Sequence, residues 1–387
     1  MANGLRIAIV CSYYPWPPRG GVETIVNQVS VELANRGHDV HVVTTPFNAV
    51  TMKQVSKYGI ERKDGVTIHK LKPSELGIGY AKFMKELKPE IQKIKPEIIH
   101  SHNLHPHLFQ LARWKQEMGY KLLAELHFPI INIEFLSAKL ALPIVVKYLA
   151  KSSRDIDAFV AHESMESKWL TGKGISAGKV YKVWFPCISR HLLNYVKTSN
   201  IQKNDDLLFI GRVVRMKGLH VLVKALKYVS YSIKKDVKLT IVGPQNEIYA
   251  KYLERLISKL NLNDQVNMKG VVSEDEKYRL IASHKIFVLP SLGDYTPSVI
   301  LEAQALGTPV IATRVGAIPT MLINGKTGLL VKPGDAMELA EGIKKLYVND
   351  DLRESMSKNA KEFSKNFLLE RSIKKLEHLY YRLAYLV

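Results

Sequence analysis

The chain has 387 residues, of which 46% are hydrophobic and 24% are charged, and its formal net charge at pH 7 is +20. A chain of this length exceeds what one hydrophobic core usually fills, so we expect two domains. No uninterrupted apolar run approaches the roughly 20 residues that cross a bilayer, and the start MANGLRIAIV lacks the basic segment and cleavage site of a signal peptide, which favours a cytoplasmic protein.

The positive charge is spread over both halves of the chain and is not gathered in a basic tail. It suits an anionic small ligand or an anionic membrane surface. It suits nucleic acid less well, because no module of basic and aromatic residues is visible. A generally basic surface explains it equally well. The two cysteines, Cys11 and Cys187, have neither CxxC spacing nor the density of a disulfide framework, so we interpret them as reduced thiols.

The N-terminal half alternates short apolar runs with helical patterns. LRIAIVC predicts a buried strand, SYYPWPPRGG predicts a loop, and apolar positions from Val22 to Leu33 mark a helix that ends at Gly37 before the strand DVHVVTT. Further strands are predicted at EIIHS, YKLLAEL, AFVAH and VYKVWF. This alternation is typical of a parallel sheet, and we assign residues 1–193 to a first α/β domain.

The same order of elements restarts near Asn204, after the candidate linker PCISRHLLNYVKTSNIQKND. Strands are predicted at DLLFIG, VKLTIVG, QVNMKG, KIFVLP and PVIAT, and helices from Gly218 and over 247–260, 273–283 and 297–306. We therefore assign residues 204–366 to a second α/β domain. A final helix within residues 367–387 carries apolar side chains on one face and must pack on another element.

The loop in FIGRVVRMKG joins a predicted strand to a predicted helix. Arg212 and Lys217 lie in this connection. In open α/β sheets, ligands bind at the carboxyl ends of the strands and at the adjoining helix N-termini, so two cations here suit a diphosphate. Solvated loop charges are the alternative interpretation.

Asp294 and Glu302 lie on either side of a second predicted helix start, in SLGDYTPSVILEAQALG. Glu302, inside the helix, could accept hydrogen bonds from ligand hydroxyls such as those of ribose. Two carboxylates separated by a helix start do not indicate the paired acids of a glycosidase. The helix start is predicted to use Thr296 as N-cap, Pro297 as first helical residue, and the free N–H groups of Ser298 and Val299 as donors toward the crevice.

The first domain has a glycine pair and several histidines near predicted strand ends. Gly20 and Gly21 would let backbone N–H groups approach a phosphate, although their loop is not a GxGxxG fingerprint. His102 and His127 follow two strands, and we expect them to face the crevice. The run HSHNLHPH holds four histidines, which are possible metal ligands. It contains no Cys or carboxylate and lacks the ligand spacing of known zinc sites, so we predict no metal site.

Four motifs resemble those of the retaining glycosyltransferases of family 4: GGVE, GRVVRMKG, IVG at 241–243, and PSLGDYTPSVILEAQALGTPVIATRVG, which is similar to the family's E-x7-E signature. The resemblance covers essentially the full length. It implies the GT-B fold, with two Rossmann-like domains whose parallel sheets face each other across a cleft and a C-terminal helix that returns to the first domain. It also implies metal-independent, retaining transfer of a hexose from a UDP-glucose or GDP-mannose type donor to a glycan or lipid-linked acceptor, without a cofactor.

Carried over by position, the resemblance implies a role for each candidate residue. Arg212 and Lys217 would bind the donor diphosphate, and Glu302 would hold the ribose hydroxyls. Asp294 and His127 would contact the transferred sugar. The remaining residues would complete the donor site, namely Gly20, Gly21, Gly243, Thr296, Pro297, Ser298, Val299 and, near the base, Val272, while His102 would line the acceptor side.

The sequence departs from the family pattern where Asp294 replaces the first Glu of the signature and Thr296-Pro297 replaces the usual Phe-Gly. These departures leave the preferred sugar open. Two rival functions also stay open, another GT-B enzyme such as a sugar-nucleotide epimerase or phosphorylase, and a basic nucleic-acid-binding protein. Basic amphipathic stretches at residues 80–95 and 136–151 leave open a peripheral contact with the inner face of the cell membrane.

Overall fold

The computed structural model describes residues 4–13, 21–47, 54, 56–78, 81–127, 136–185, 187–198, 204 and 206–385. The chain divides into two compact units. Met1–Phe185 together with Leu369–Val387 form unit 1, and Pro186–Leu368 form unit 2. The C-terminal segment therefore belongs to the same unit as the N-terminal half of the chain.

Helices and strands alternate through most of unit 1. In chain order they are β1 Arg6–Tyr13, α1 Gly21–Asn35, β2 Asp39–Thr45, β3 Gly59–Lys63, β4 Val66–Lys70, β5 Pro73–Ile78, β6 Ala81–Met84, α2 Leu87–Ile94, β7 Ile98–His102, α3 Pro106–Met118, β8 Lys121–Glu125, α4 Leu136–Ser152, β9 Ala158–Ala161, α5 Ser164–Gly172 and β10 Val180–Lys182.

Unit 2 continues the alternation, and the last helix returns to unit 1. The elements are α6 Arg190–Thr198, β11 Leu207–Ile210, α7 Leu219–Ile233, β12 Leu239–Val242, α8 Glu247–Lys259, β13 Val266–Gly270, α9 Glu274–Ser283, β14 Ile286–Leu289, α10 Ser298–Ala305, β15 Val310–Thr313, α11 Ile318–Met321, β16 Leu329–Val331, α12 Ala336–Val348, α13 Asp350–Ser364 and, in unit 1, α14 Leu369–Tyr385.

Among the described residues, the larger sheet of unit 1 has the strand order β10-β9-β8-β7-β1-β2-β4-β3, and β5 and β6 form a separate antiparallel pair. Neighbours in the larger sheet pair in parallel, except for β3 and β4, which are antiparallel. The sequence did not predict the antiparallel strands between residues 59 and 84. β3 is exposed along its whole length, so no apolar alternation marks it.

The sheet of unit 2 is parallel throughout, in the order β13-β12-β11-β14-β15-β16. All residues of β12, β14 and β15 are buried, as expected for a parallel sheet covered by its crossover helices. The predicted architecture of two α/β units with parallel sheets is confirmed.

Each of the two larger sheets has a point at which the strand order reverses. In unit 2 it lies between β11 and β14, and in unit 1 between β1 and β7. The loops that leave two such strands diverge to opposite faces and open a crevice at the carboxyl ends, which is where open α/β sheets bind ligands. The candidate residues should therefore be sought at these two edges.

Helix α14 packs in unit 1 through the apolar face that the sequence predicted. Ile373 and Leu376 are fully buried. The Ser372 hydroxyl donates a 2.6 Å hydrogen bond to the carbonyl of Trp184, and Glu377 accepts from Arg36 at 3.2 Å. These contacts fix the helix on the unit by both apolar and polar interactions.

None of the described helices is both long enough and apolar enough to span a membrane. The amphipathic stretch at residues 80–95 is divided, where the structure describes it, between β6 and α2. It is therefore not one continuous amphipathic helix.

Candidate active site

The reversal point of unit 2 brings the predicted phosphate loop and the signature loop together. Arg212 and Lys217 follow β11, and Asp294 follows β14, the strand that pairs with β11. The Lys217 ammonium forms an ion pair with Oδ2 of Asp294. This oxygen also accepts a 3.2 Å hydrogen bond from Ser291. Arg212 is exposed.

Two glycines allow the backbone to approach closely at this edge. Gly218 has φ +70°, and a Cβ placed on it would lie 1.9 Å from the carbonyl oxygen of Pro290. Gly243 has φ +138°, and its Cβ would lie 2.1 Å from the carbonyl oxygen of Gly211. Any side chain would push these loops apart, so glycine is required at both positions.

The start of α10 differs from the prediction by one residue. The helix begins at Ser298, and the N-cap is Pro297, with φ −71° and ψ 107°. The prediction of Thr296 as N-cap and Pro297 as first helical residue is therefore wrong. Proline's ring fixes φ but leaves ψ free, and an extended ψ belongs to a cap. The N–H groups of Ser298 and Val299 still lie in the first turn, where helix geometry gives them no intrahelical partner.

Glu302 is paired with a cation that the sequence analysis did not single out. Its Oε2 lies 3.0 Å from Nζ of Lys277, which belongs to α9, and its side chain is only 14% exposed. Burial, together with the charge of Glu302, raises the pKa of the neighbouring Tyr278 hydroxyl. Glu302 is thus a largely buried carboxylate whose charge is balanced by one lysine.

Three other residues predicted for the donor site, Val272, Gly21 and Gly20, lie outside the loops described above. Val272 follows β13 and is half-buried. Gly21 is the first residue of α1, after β1 at the reversal point of unit 1. Gly20 lies outside the described residues.

The strand ends of unit 1 form a buried cluster of histidines around one carboxylate. His102 ends β7 and pairs in register with Glu125, which ends the adjacent strand β8. His162 directly follows β9, the next strand of the sheet. His100, His102 and Glu125 are completely buried.

Four imidazoles approach the carboxylate of Glu125. Its Oε1 lies 2.9 Å from Nε2 of His162, 3.1 Å from Nε2 of His127 and 3.7 Å from Nδ1 of His102. Its Oε2 lies 3.2 Å from Nε2 of His100. Nδ1 of His102 is also 2.8 Å from Nε2 of His127.

These contacts control the ionisation of the cluster. Burial alone would raise the pKa of Glu125, but electrostatic attraction to the imidazoles of His102 and His127, together with the contacts of His100 and His162, holds it well below its usual value. Burial lowers the pKa of His127 to about 4. Burial also acts to lower the pKa of His162, but its hydrogen bond to Glu125 raises it overall. At neutral pH, Glu125 is an anion and His127 is uncharged.

The fold brings a carboxylate among the histidines, although the run HSHNLHPH contains none. Glu125, from the adjacent strand, lies 3.7 Å from His102 and 3.1 Å from His127. Two groups in the described part of the chain, His100-His102-Glu125 and Glu125-His127-His162, have candidate ligand atoms within 4.8 Å of one another. Imidazole and carboxylate donors suit zinc and similar ions.

Sequence reasoning missed Glu125, His162 and Lys277, although two of them carried a signal. Glu125 and His162 are polar residues at the carboxyl ends of apolar strands, the same position that identified His102. Lys277 had no comparable signal, since it lies inside α9.

Comparisons with known proteins agree with this architecture. The family model described as Glycosyltransferase Family 4 matches residues 19–185, and that described as Glycosyl transferases group 1 matches residues 194–363. The N-acetyl-alpha-D-glucosaminyl L-malate synthase of Bacillus anthracis is 26% identical over 389 aligned residues, which cover 97% of each chain.

Two solved structures share the fold over nearly the whole chain. Sucrose-phosphate synthase from Thermosynechococcus elongatus has a TM-score of 0.79 at 21% identity, covering 97% of this chain and 98% of that one. Anabaena HepE, in complex with UDP and glucose, has a TM-score of 0.75 at 18% identity, covering 97% and 99%. Together with the family models, these similarities show that the chain is a glycosyltransferase that belongs to family 4 and has the GT-B fold.

Proposed function

We propose that this enzyme transfers a hexose, with retention and without a metal, from a UDP- or GDP-linked donor to a hydroxyl of a glycan or lipid-linked acceptor. The observation that carries the proposal is the reversal point of unit 2. There, Lys217, Asp294 and the N-terminus of α10 follow two paired strands. Cations and free N–H groups at such an edge suit a diphosphate.

Lys217 and Arg212 would neutralise the diphosphate. An ammonium has three donors, so Lys217 can bind a phosphate oxygen while it keeps Asp294. Asp294 is then placed to accept a hydrogen bond from a hydroxyl of the transferred sugar. HepE was solved with UDP and glucose, which supports a nucleotide-sugar donor.

Glu302 would accept hydrogen bonds from the ribose. Its carboxylate lies 3.0 Å from the ammonium of Lys277. Two ribose hydroxyls could take over part of this contact, because an ionised carboxylate has about four acceptor positions.

In the transfer step, a bond forms between the acceptor oxygen and the anomeric carbon, while the bond from that carbon to the phosphate oxygen breaks. The electron pair leaves with the nucleoside diphosphate, and the acceptor's proton passes to the departing phosphate on the same face. Lys217, Arg212 and the N–H groups of α10 stabilise the charge that develops on the leaving group. His127 would contact the sugar near the reacting carbon, and His102 would lie on the acceptor side.

A lipid-linked acceptor fits the exposed face of α4. Ile144 and Tyr148 are 73% and 53% exposed. Lys147 and Lys151 are also exposed, and the helical spacing places all four side chains on one face. Apolar and basic side chains on one face suit the surface of an anionic membrane, so we propose a peripheral contact there.

Nucleotide binding tests the donor site directly. Thermal stability should rise with UDP or GDP and their sugars, and Arg212→Ala and Glu302→Ala should reduce this rise. Matched controls on the exposed surface of α8, Arg255→Ala and Glu254→Ala, should not change it. If no nucleotide stabilises the chain, the proposal fails.

Turnover tests the reaction class. Product analysis by NMR should show the donor's anomeric configuration retained, with a rate unaffected by EDTA. Turnover of a sugar nucleotide without any acceptor would instead favour an epimerase or phosphorylase.

A further inference from the structure

The C-terminal helix reaches the histidine cluster through one buried tyrosine. Tyr380 of α14 is completely buried. Its hydroxyl lies 2.8 Å from Nδ1 of His100, and the two rings meet edge to face, with centroids 5.9 Å apart. Burial raises the pKa of this hydroxyl well above its usual value, so it keeps its proton and can donate it.

The carboxylate of Glu125 determines which nitrogen of His100 is protonated. Nε2 of His100 lies 3.2 Å from Oε2 of Glu125, and both atoms are buried without a partner of good hydrogen-bond geometry among the described residues. A hydrogen on Nε2 would face a carboxylate that only accepts, whereas a lone pair there would face the lone pairs of that carboxylate, so this contact favours the Nε2–H tautomer. Nδ1 is then the acceptor for the Tyr380 hydroxyl.

His127 contacts the other oxygen of the same carboxylate. Its Nε2 lies 3.1 Å from Oε1 of Glu125, closer than Nδ1 of His102 at 3.7 Å. The proton shared across the 2.8 Å contact between these two rings therefore belongs on Nε2 of His127. Nδ1 of His127 then carries a lone pair and can accept a hydrogen bond.

The backbone of His127 also needs support from its surroundings. Its φ is +50°, in the left-handed region that residues other than glycine rarely adopt. Such conformations persist where neighbouring contacts hold them. The contacts to Glu125 and His102 provide this support.

We propose that Tyr380, His100 and Glu125 are positioning residues for His127. Through them, the C-terminal helix sets the ring orientation and tautomer with which His127 meets the sugar. This inference rests on the proposed function, in which His127 contacts the transferred sugar. The helix itself is anchored elsewhere in unit 1, where Glu377 contacts His38 at 3.0 Å.

A double-mutant cycle tests the connection. Glu125→Gln should lower kcat by about 10²-fold, while KM for the donor changes less than about twofold. The reason is that an amide has a single accepting oxygen and cannot accept from both His100 and His127. Tyr380→Phe should lower kcat by about tenfold. In combination with His127→Asn, neither substitution should lower kcat further. Tyr381→Phe, on the same helix, is the matched control and should leave kcat unchanged.

Histidine ¹⁵N spectra give a readout independent of activity. The resonances of His127 are identified by their loss in His127→Asn. In the parent chain they should show the Nε2–H tautomer, and in Glu125→Gln the tautomer distribution should change. Losses of kcat that add up in the double mutants, or an Nδ1–H tautomer of His127 in the parent, would overturn the proposal. So would a stoichiometric metal ion, lost in Glu125→Gln, in the purified protein. If His127→Asn keeps full kcat, the proposed contact of His127 with the sugar is wrong. The tautomer measurement still tests whether Tyr380, His100 and Glu125 position the His127 ring.

Discussion

The two units hold their candidate carboxylates in different ways. In unit 2, Asp294 and Glu302 are each paired with one lysine and keep some exposure to solvent. In unit 1, Glu125 is completely buried among imidazoles. A lysine on a flexible stem can turn to a ligand, whereas a ring packed in the core cannot. The carboxylates of unit 2 are therefore suited to exchange partners when a ligand binds, whereas the carboxylate of unit 1 is suited to hold a fixed arrangement.

The largest effect is expected from Lys217→Ala. The substitution removes a cation from the leaving group and leaves Asp294 without its partner, so kcat/KM should fall by about 10²- to 10³-fold. Steady-state kinetics measure this loss. Lys224→Ala, on the exposed face of α7, is the control. Equal effects of the two substitutions would remove Lys217 from the site.

Acidification should destabilise unit 1 more than unit 2. Burial lowers the pKa values of His105 and His127 to about 4 and that of His107 to about 3, below the unfolded value of 6.5. The unfolded chain therefore binds more protons, and this stability, complete above pH 6.5, is lost as the pH falls toward 4. Each histidine contributes up to about 2 kcal/mol of this loss at pH 5.

Hydrogen exchange measured by mass spectrometry at pH 7 and pH 5, corrected for intrinsic rates, resolves the two units. Peptides from β7 to β9 should lose protection while those from β11 to β14 keep it. His162, whose pKa is raised, opposes the trend, because its contribution is present at low pH and is lost as the pH rises. Equal loss of protection in both units would contradict the comparison.

Glu302→Gln should weaken nucleotide binding by about tenfold, because a neutral amide accepts hydrogen bonds from hydroxyls less strongly than a carboxylate. Titration calorimetry with the preferred nucleoside diphosphate measures the change. The free base should show no difference, since it lacks the ribose. If the nucleoside diphosphate binds equally to both proteins, Glu302 does not hold the ribose.

The smallest effect is expected from Lys277→Ala. In the proposed site, ribose hydroxyls take over contacts of Glu302, so affinity for the nucleotide should change by less than about twofold, while the variant without nucleotide should lose some thermal stability. The same calorimetric titration compares it with Lys217→Ala. A large loss of affinity would show that Lys277 itself binds the nucleotide.

The sequence predicted the alternating elements well because buried parallel strands are short apolar runs and their helices carry apolar faces. It missed β3, whose residues are all exposed. It placed the start of α10 one residue early, because Pro297 fits a first helical position by its fixed φ, while its ψ depends on the loop it joins.

The sequence by itself determined which loops follow strands, and hence that Arg212, Lys217, Asp294 and His102 would lie at the carboxyl edges of sheets. This follows because strand direction and strand ends are local properties. Only the tertiary structure decided which side chains contact these site residues. Lys277 reaches Glu302 from another helix, and Tyr380 reaches His100 across 280 residues of sequence, because packing of distant segments sets such contacts.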